Sequence, residues 1–372
     1  MQVMSTRDYV MLDGAPAFKP HVRYVMPDEM AATWQGVKGV RWNVSGIGNY
    51  ERRYGGQDLN NKTLCISRMH GMGDQLIVTA LPKYLKHLWP KAQITVYSIE
   101  SYASPVWQAN RNITGGRIVP LPIELDALRK YDYHLLFDGM IESNREWDQG
   151  NAYDDMFAFA GLRDVADKWK RPDLHTAERD DELARSLEWV GQDPYIVVAL
   201  STSSPIRNWP FGKIRRFVEL VLEEQPSWRV AVVGTTSGMG EDVEEIEHPR
   251  VEWLVDRVPD IRQHFPLIEN AGCVVGPDTG FLHVAAAYNV PIVGLYGPFS
   301  WDSRAKYYPG RKIEHPELCP HAPCWQHGME IPRRKCRRAR GYTDEMVNCA
   351  CIEAIEPEEV LSCMYEVAHG SD

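Results

Sequence analysis

From Thr63 onward, short apolar runs alternate with segments whose apolar residues recur at helical spacing. The run TLCISR, beginning at Thr63, is typical of a buried strand, and QITVYSI (93–99) of the next one. The apolar residues on one face of the intervening helix are Ile77, Leu81, Tyr84, Leu85 and Leu88. Strand, helix and strand in this order predict a βαβ unit, hence a parallel sheet. Further short strands are expected at 117–122 and 133–139.

The same alternation starts again after the strongly charged segment 165–193. PYIVVAL (194–200) predicts a strand, PFGKIRRFVELVLEEQ a helix, and WRVAVVG (228–234) another strand. CVVGPDTG, FLHVAAAYN and PIVGLYG then repeat strand, helix and strand. Two successive sets of βα units predict an α/β protein of two Rossmann-like, doubly wound domains that face each other across a cleft.

We expect these domains at residues 62–185 and 186–372, after an N-terminal extension of residues 1–61. Within the extension, VMLDGAPAFKPHVRYV alternates around an Asp-Gly pair and predicts a hairpin. Near the other end, EPEEVLSCMYEVA is typical of a final helix. No chemistry is predicted for the extension, which we interpret as a cover or a partner surface.

The composition is that of an ordinary globular protein, with a net charge of −10 over 372 residues. This acidic balance argues against broad binding to nucleic acid. The basic run RRKCRRAR (333–340) keeps a nucleic-acid acceptor open, although such runs are more often solvated faces. Neither a signal peptide nor an apolar run long enough for a transmembrane segment is expected, and we predict a cytoplasmic protein.

Six of the eight cysteines fall in the last 54 residues, which predicts a cysteine-rich tail. One interpretation is a metal site, and its candidate ligands are Cys319, Cys324, Cys336, Cys349 and Cys351, with His321 and His327 as possible additions. Their spacings are not the tight C-x2-C pairs of zinc ribbons. Buried thiols or a disulfide that braces the tail are therefore equal alternatives, and we expect no metal at the reacting centre.

The loop HGMGD follows the first predicted strand and contains Gly71, Gly73 and Asp74. A dinucleotide-binding loop would need a third glycine where this chain has Leu76. A carboxylate at the start of the helix would also repel a pyrophosphate. Two interpretations of Asp74 remain: a plain N-cap, or a carboxylate aimed at a substrate.

The loop GPDTG, between a strand and a helix, suits an anion such as a diphosphate. Backbone N–H groups of Thr279 and Gly280, the Thr279 hydroxyl and the helix dipole all favour negative charge. Asp278 is placed to accept hydrogen bonds from sugar hydroxyls, and His283 lies one turn into the helix. As alternatives, Asp278 caps the helix and His283 is a satisfied buried histidine.

A third loop, STSSPIRNWPFGK, follows the carboxyl end of the strand at 194–200. It supplies the hydroxyls of Ser201 and Thr202 and the guanidinium of Arg207, which could neutralise phosphate charge. Open α/β sheets bind ligands at this edge. Three polar loops at strand ends together predict a binding site.

ISRMHGMGDQLIVTALPKYLKHLWPKAQITV and VVGPDTGFLHVAAAYNVPIVGLYGP resemble glycosyltransferase family 9, the ADP-heptose lipopolysaccharide heptosyltransferases and their relatives. The resemblance covers roughly residues 62–365. It implies the GT-B fold, with the acceptor on the N-terminal domain and the nucleotide-sugar on the C-terminal one. It also implies an inverting, metal-independent transfer with Asp74 as the catalytic base. The donor-binding residues that it implies are Asp278, Thr279, Gly280 and His283, and Arg207 stands where the family usually has lysine.

The sequence thus predicts a glycosyltransferase that moves a sugar from an ADP- or UDP-linked donor to a hydroxyl, with no cofactor required. A glycan or lipopolysaccharide acceptor is the first expectation, and a modified nucleic-acid base or a protein side chain stays open because the extension has no counterpart in the family. The alternatives are a nucleotide-sugar epimerase and a non-catalytic protein that binds sugar nucleotides or glycans. Trp253 is a candidate to stack on the nucleobase.

Overall fold

The chain forms two compact units in a computed structural model: unit 1 comprises Met1–Trp147 and Ala152–Lys170, and unit 2 comprises Asp148–Asn151 and Arg171–Asp372. The residues that the structure describes are 2–6, 10–12, 15–18, 24–26, 42–46, 52–68, 71–98, 105–118, 123–137, 150–237, 239, 243–318, 322–324 and 349–368. The basic run 333–340, Cys319, Cys336, His321 and His327 lie outside them. The domain limits 62–185 and 186–372 stay predictions.

The strands of unit 1 are β1 (Gln2–Thr6), β2 (Val10–Leu12), β3 (Ala15–Phe18), β4 (Tyr24–Met26), β5 (Trp42–Gly46), β6 (Thr63–Ser67), β7 (Gln93–Ser98), β8 (Gly115–Ile118), β9 (Ile123–Glu124) and β10 (Tyr133–Leu136). Its helices are α1 (Met72–Val78), α2 (Ala80–Leu88), α3 (Leu125–Leu128) and α4 (Ala152–Phe159), with a 3-10 turn at Asp167–Trp169.

The central sheet of unit 1 is parallel, in the order β10-β6-β7-β8. Its first strand β6 is apolar because both of its faces are covered, and Leu64, Cys65 and Ile66 have no exposed surface. The extension forms an antiparallel sheet, β5-β1-β4-β9, and so pairs with residues 123–124 of the same unit. The hairpin predicted in the extension is confirmed by the antiparallel pair β2 and β3.

The helix predicted after β6 is wrong in one respect, since it consists of two helices separated at Thr79. Pro82 has no N–H with which to bond the carbonyl of Val78, so the hydrogen-bond ladder is interrupted at this turn. Thr79 accommodates the break by donating its hydroxyl to the carbonyl of Leu76. The strand predicted at 117–122 begins earlier, at Gly115.

The strands of unit 2 are β11 (Tyr195–Ala199), β12 (Arg229–Val233), β13 (Val251–Trp253), β14 (Cys273–Pro277), β15 (Ile292–Tyr296) and β16 (Gly310–Glu314). Its helices are α5 (Glu182–Ser186), α6 (Phe211–Glu224), α7 (His264–Glu269), α8 (Gly280–Ala287), α9 (Trp301–Arg304), α10 (Ala350–Glu353) and α11 (Pro357–Ala368). Turns of 3-10 helix occur at Glu178–Asp181, Pro205–Arg207, Ile261–Gln263 and Pro316–Leu318.

The sheet of unit 2 has six parallel strands in the order β13-β12-β11-β14-β15-β16. The chain therefore fills one half of the sheet outward from β11 and then the other half outward from β14, which is the doubly wound order predicted from the sequence. Trp253 ends β13 and is 7% exposed, packed against the ring of Phe211. Its suggested role in stacking on a nucleobase is therefore not supported.

The final helix α11 packs against α6, as its apolar face predicts. Two side chains at the start of α6 bond the turn that precedes α11: Trp209 Nε1 donates to the carbonyl of Ile355 at 3.0 Å, and Lys213 Nζ donates to the same oxygen at 3.1 Å. Within the described residues, no helix has both the length and the apolar character needed to cross a bilayer.

The structure describes four of the tail cysteines: Cys324, Cys349, Cys351 and Cys363. Cys324, Cys349 and Cys351 are buried, and the last two pack on Ile206, in the turn that carries Arg207. Among the described residues, no three His, Cys, Asp or Glu side chains are placed to hold a metal ion.

Candidate functional site

The switch point of the unit 2 sheet lies between β11 and β14, where the strand order reverses. Two of the predicted loops leave the sheet there: residues 200–210 follow β11, and Asp278 and Thr279 follow β14. Crevices at the carboxyl ends of strands beside a switch point are where doubly wound sheets bind their ligands. The fold thus brings Arg207 and Asp278 to one place although 71 positions separate them in the sequence.

Arg207 and Asp278 form a largely buried ion pair at this point. Arg207 Nη1 donates to Asp278 Oδ2 at 2.8 Å and to the Asp278 carbonyl at 3.0 Å, while Nη2 donates to Ser203 Oγ at 3.2 Å. Burial alone would raise the pKa of Asp278, but Arg207, followed by Arg304 and His283, brings that pKa below its ordinary value. Asp278 is therefore a carboxylate already held by a guanidinium.

His283 connects Asp278 to a tyrosine from another segment. It lies on α8, is 4% exposed, and its Nδ1 is hydrogen-bonded to the hydroxyl of Tyr308. Its Nε2 is 4.0 Å from Asp278 Oδ1. In the tautomer with a proton on Nε2, Tyr308 donates to Nδ1 and the Nε2–H faces the Asp278 carboxylate. His283 is therefore a buried histidine whose ring nitrogens have partners, as one of the two interpretations predicts. Those partners, Tyr308 and Asp278, lie inside the candidate site.

Thr279 and Gly280 begin α8, with Thr279 as the N-cap residue. The alternative in which Asp278 caps this helix is wrong, because Asp278 lies one residue earlier and is paired with Arg207. Thr279 makes no side-chain cap bond, and both residues are only half-buried. The first N–H groups of α8 thus lie beside the ion pair with the polarity that an anion requires.

The hydroxyls of Ser201 and Thr202 are used inside their own loop. Ser201 Oγ donates to the carbonyl of Thr235, and Thr202 Oγ1 donates to the carbonyl of Ser204 at 2.7 Å. Asn208, which the sequence analysis did not single out, accepts the Thr202 N–H at 2.8 Å and has no exposed surface. The structure assigns these groups to the shape of the loop, and their contact with a donor stays a prediction.

Three further residues surround the ion pair, none of which the sequence analysis singled out. The guanidinium carbons of Arg207 and Arg304 lie 5.2 Å and 5.7 Å from the centroid of the Phe299 ring. Tyr296 ends β15, is 1% exposed, and its hydroxyl has no hydrogen-bond partner within the described part of the chain. Burial, and then the charge of Asp278, raise the pKa of this phenol, which remains neutral. The only sequence signal was their position after strand ends.

A shallow crevice of about 140 Å³, part of it open to solvent, lies at this point. Its lining includes Arg207, Asp278, Tyr296 and Phe299. Two guanidiniums, Arg207 and Arg304, act on one carboxylate here, which leaves an excess of positive charge before His283 is counted. The arrangement suits an anionic ligand.

Asp74 lies at the corresponding edge of the unit 1 sheet. It is the third residue of α1, and Gly71 is the N-cap, so the interpretation of Asp74 as a plain N-cap is wrong. Asp74 Oδ2 is 3.1 Å from Nη2 of Arg68, whose Nη1 donates to the carbonyl of Phe137 at 3.1 Å. The Asp74 side chain keeps 24% of its surface exposed, whereas that of Arg68 keeps 2%. A ligand at this edge would meet the carboxylate rather than the guanidinium.

Comparisons with known proteins agree with this fold. The family model for glycosyltransferase family 9 (heptosyltransferase) matches residues 134–313. Lipooligosaccharide heptosyltransferase 2 of Haemophilus influenzae is 29% identical over 101 residues. That alignment spans 26% of this chain and 29% of the relative, so it covers less than a third of the relative's length.

Three solved structures share the fold at low identity. A family 9 glycosyl transferase from Veillonella parvula matches with a TM-score of 0.61 and 15% identity, covering 85% of this chain and 99% of its own. Escherichia coli ADP-heptose lps heptosyltransferase II gives 0.56 and 17%, over 83% and 98%. The iron-containing dodecameric glycosyltransferase TibC of E. coli gives 0.60 and 16%, over 89% and 82%.

At these identities the structural matches establish the fold, and they confirm the two parallel-sheet α/β regions predicted from the sequence. The family match and the curated relative bear out the resemblance and, with it, the glycosyltransferase class. Residues 134–313, which contain Arg207, Asp278 and His283, are thus the part of the chain that matches the glycosyltransferase family 9 model.

Proposed function

We propose that the protein transfers a sugar from a nucleotide-activated donor to an acceptor hydroxyl, with inversion at the anomeric carbon. The observation that carries the proposal is the cluster of Arg207, Asp278, His283 and the start of α8 at the switch point of unit 2, inside the region matched to family 9. An ADP-linked heptose is the proposed donor, because one solved structure of TibC is a complex with ADP-D-beta-D-heptose.

The donor diphosphate is proposed to bind beside the Arg207–Asp278 pair. The N–H groups at the start of α8 and the guanidiniums of Arg207 and Arg304 offer donors and positive charge there. As the bond to the sugar breaks, negative charge grows on the departing diphosphate, and fixed donors stabilise that charge without reorganising. Asp278 is paired with Arg207 and faces His283. It orients the Arg207 guanidinium and can accept a hydrogen bond from a sugar hydroxyl.

Asp74 is the proposed general base. Its partly exposed carboxylate would take the proton of the acceptor hydroxyl while the oxygen attacks the anomeric carbon from the face opposite the diphosphate. One carboxylate is enough for an inverting transfer, since no glycosyl-enzyme intermediate is formed. The acceptor is proposed to be a glycan hydroxyl, the class to which the lipopolysaccharide and lipooligosaccharide relatives belong.

Transfer without a metal at the reacting atoms is part of the proposal. It is supported by the guanidiniums of Arg207 and Arg304, which offer positive charge for the diphosphate. TibC is iron-containing, and in this chain the tail cysteines are the candidate ligands. The described cysteines do not by themselves assemble a metal site, so no chemical step is derived through one. Metal analysis of the purified protein, with turnover measured before and after EDTA, tests both points.

The first experiment is a thermal-shift screen against ADP, UDP, ADP-heptose and UDP-glucose, each with and without EDTA. A ligand at a hundredfold its dissociation constant adds about 2.7 kcal/mol to the free energy of unfolding. We expect ADP and ADP-heptose to raise the melting temperature, with no effect of EDTA. Stabilisation by UDP compounds instead would change the donor, and no response to any nucleotide would contradict the proposal. Product analysis with donor alone separates transfer from epimerisation.

A further inference from the structure

Arg68 is a buried arginine, and its two terminal nitrogens contact groups from different elements. Nη1 donates to the carbonyl of Phe137, just after β10, and Nη2 pairs with Asp74 at the start of α1. Arg68 itself follows β6, the neighbour of β10. The guanidinium therefore spans the ends of two adjacent strands at the switch point of the unit 1 sheet and presents one edge to the Asp74 carboxylate.

The exposures of the two partners show which of them faces a ligand. Arg68 keeps 2% of its side chain exposed and Asp74 keeps 24%. Burying a guanidinium carries a desolvation penalty that an apolar residue would avoid. Stability of unit 1 alone is a poor reason to place an arginine here. The geometry fits another role for Arg68: it holds the partly exposed carboxylate of Asp74 in position.

Gln75, the next residue along α1, anchors the helix itself. Its Oε1 accepts hydrogen bonds from Ser98 Oγ at 2.7 Å and from Trp107 Nε1 at 2.8 Å. An indole nitrogen can only donate, so the oxygen of the amide must be the atom that faces Trp107, and the orientation of Gln75 is fixed. Ser98 ends β7, and Trp107 lies in the short helical stretch 105–107. The first turns of α1 are thus tied to two other segments.

The remaining atom of this amide has no such use. Gln75 Nε2 is buried and has no hydrogen-bond partner within the described part of the chain. A buried donor without a partner lowers the stability of the folded state. The Gln75 oxygen nevertheless bonds Ser98 and Trp107, so the role of this residue in the structure is to hold α1 in place.

We propose that Arg68 and Gln75 are positioning residues for Asp74: Arg68 fixes the carboxylate, and Gln75 fixes the helix that carries it. The proposal rests on the function proposed above, in which Asp74 is the base. Neither residue is assigned contact with donor or acceptor. Their loss would therefore slow proton transfer while leaving donor binding intact.

The test measures release of ADP from ADP-heptose, with water as the acceptor, together with the affinity for ADP by calorimetry. The variants are Arg68→Met, Arg68→Lys, Gln75→Met and Asp74→Asn. The control is Arg52→Met, an arginine of the same unit that also donates to backbone carbonyls, those of Arg129 and Tyr131.

Arg68→Met is expected to lower kcat about 100-fold, because a displacement of about 1 Å at the reacting group has an effect of that size. The KM for ADP-heptose and the affinity for ADP should stay within about twofold, as they do when only transition-state interactions are lost. Arg68→Lys should recover part of kcat, since it restores the charge but not the fork that also holds Phe137. Gln75→Met should fall between Arg68→Met and the control.

The positioning role is overturned if Arg68→Met and Arg52→Met have the same kcat, or if Arg68→Met loses ADP affinity and kcat together. Wild-type turnover in Asp74→Asn would overturn the proposed function itself, whatever the Arg68 variants do. If Arg68→Met does not fold by circular dichroism, Arg68→Lys and Gln75→Met decide the question. Wild-type kcat in both of them would exclude the role.

Discussion

The carboxylate of Asp74 lies in the space that a side chain on residue 71 would fill. A Cβ added to Gly71 would come 2.5 Å from Asp74 Oδ2, and Gly71 has a φ of +60°. Glycine is required here twice, once for the left-handed backbone and once for the close approach of the carboxylate. The first glycine of the loop is therefore part of the placement of the proposed base.

Gly71→Ala is expected to lower kcat about 100-fold by displacing the carboxylate. ADP affinity should not change, because the proposed donor site lies in unit 2. The matched control is Gly191→Ala, since Gly191 has a φ of +80° but no atom within 4 Å of an added Cβ. Both variants should carry the backbone strain of about 1–2 kcal/mol, visible as a lower melting temperature. Equal kcat in the two variants would contradict the link between Gly71 and Asp74.

Substitution of Arg207 should weaken donor binding. Arg207→Met removes a charged hydrogen-bond donor, whose loss costs about 1.5–3 kcal/mol, and we expect ADP affinity to fall by about 10- to 100-fold. Arg207→Lys should lose less, because a lysine keeps the charge but cannot bond Asp278 and Ser203 through two separate nitrogens. Arg216→Met, on the exposed side of α6, is the control. Unchanged ADP affinity by calorimetry in Arg207→Met would remove the donor from this site.

Tyr308→Phe tests whether His283 must be oriented. The substitution removes only the hydroxyl that is hydrogen-bonded to Nδ1, and a hydrogen bond contributes about 1 kcal/mol. We expect the affinity for ADP-heptose to fall about fivefold, because without this hydrogen bond the His283 ring could rotate and Nε2 would no longer be held towards the Asp278 carboxylate. Tyr365→Phe, which loses an exposed bond to Glu224, is the control. Identical affinities in the two variants would make Tyr308 a packing residue.

Asp180 and Arg262 form a buried ion pair that should dominate the local stability of unit 2. Both side chains are 1% exposed, and Arg262 also donates to the carbonyl of His175. Asp180→Asn leaves the guanidinium buried without its charge partner, and we expect a loss of about 3–5 kcal/mol in the free energy of unfolding. The neighbouring Asp181→Asn breaks a surface pair with Arg185 and should lose less than about 1 kcal/mol. Urea denaturation compares the two, and equal losses would contradict the prediction.

His264 should make the protein sensitive to mild acid. Burial, opposed by the backbone of Ile261 and the charge of Asp260, lowers the pKa of His264 to about 4 from 6.5. A histidine whose folded pKa is depressed takes up its proton more readily in the unfolded chain, so it reduces stability as pH falls below 6.5 toward 4.

In His264→Phe this reduction disappears. The free energy of unfolding of the variant, relative to wild type, should rise by about 2 kcal/mol between pH 7 and pH 5, at about 1.36 kcal/mol per pH unit below 6.5. Denaturation with urea at both pH values measures it. A constant difference between the two proteins at both pH values would show that another group controls the acid response.

The strands and most helices could be predicted because each depends on a local pattern. β11, for example, is a five-residue apolar run with both faces buried, and α6 shows its apolar stripe directly in the sequence. The split between α1 and α2 was missed because the helical period continues across Thr79, and only Pro82 signals the break.

The candidate site could be predicted only in part. Asp74, Asp278 and Arg207 became candidates because polar residues after buried strands are conspicuous. Their partners were not, since Arg207 meets Asp278, and His283 meets Tyr308, only when the strand order is known. Arg68 was overlooked because a charged residue after a strand gives no sign that it will be buried.

The backbone enters unit 2 for four residues, returns to unit 1, and enters unit 2 again at Arg171. In this short excursion, Asn151 Nδ2 donates to the carbonyl of Asp302 at 2.7 Å, within the helix α9 that ends in Arg304. A gene fragment beginning at codon 171 would therefore encode unit 2 without the hydrogen bond from Asn151 to α9. Dissecting the enzyme into separately expressed halves would need a circular permutant or a spliced linker that carries residues 148–151 along with the larger piece.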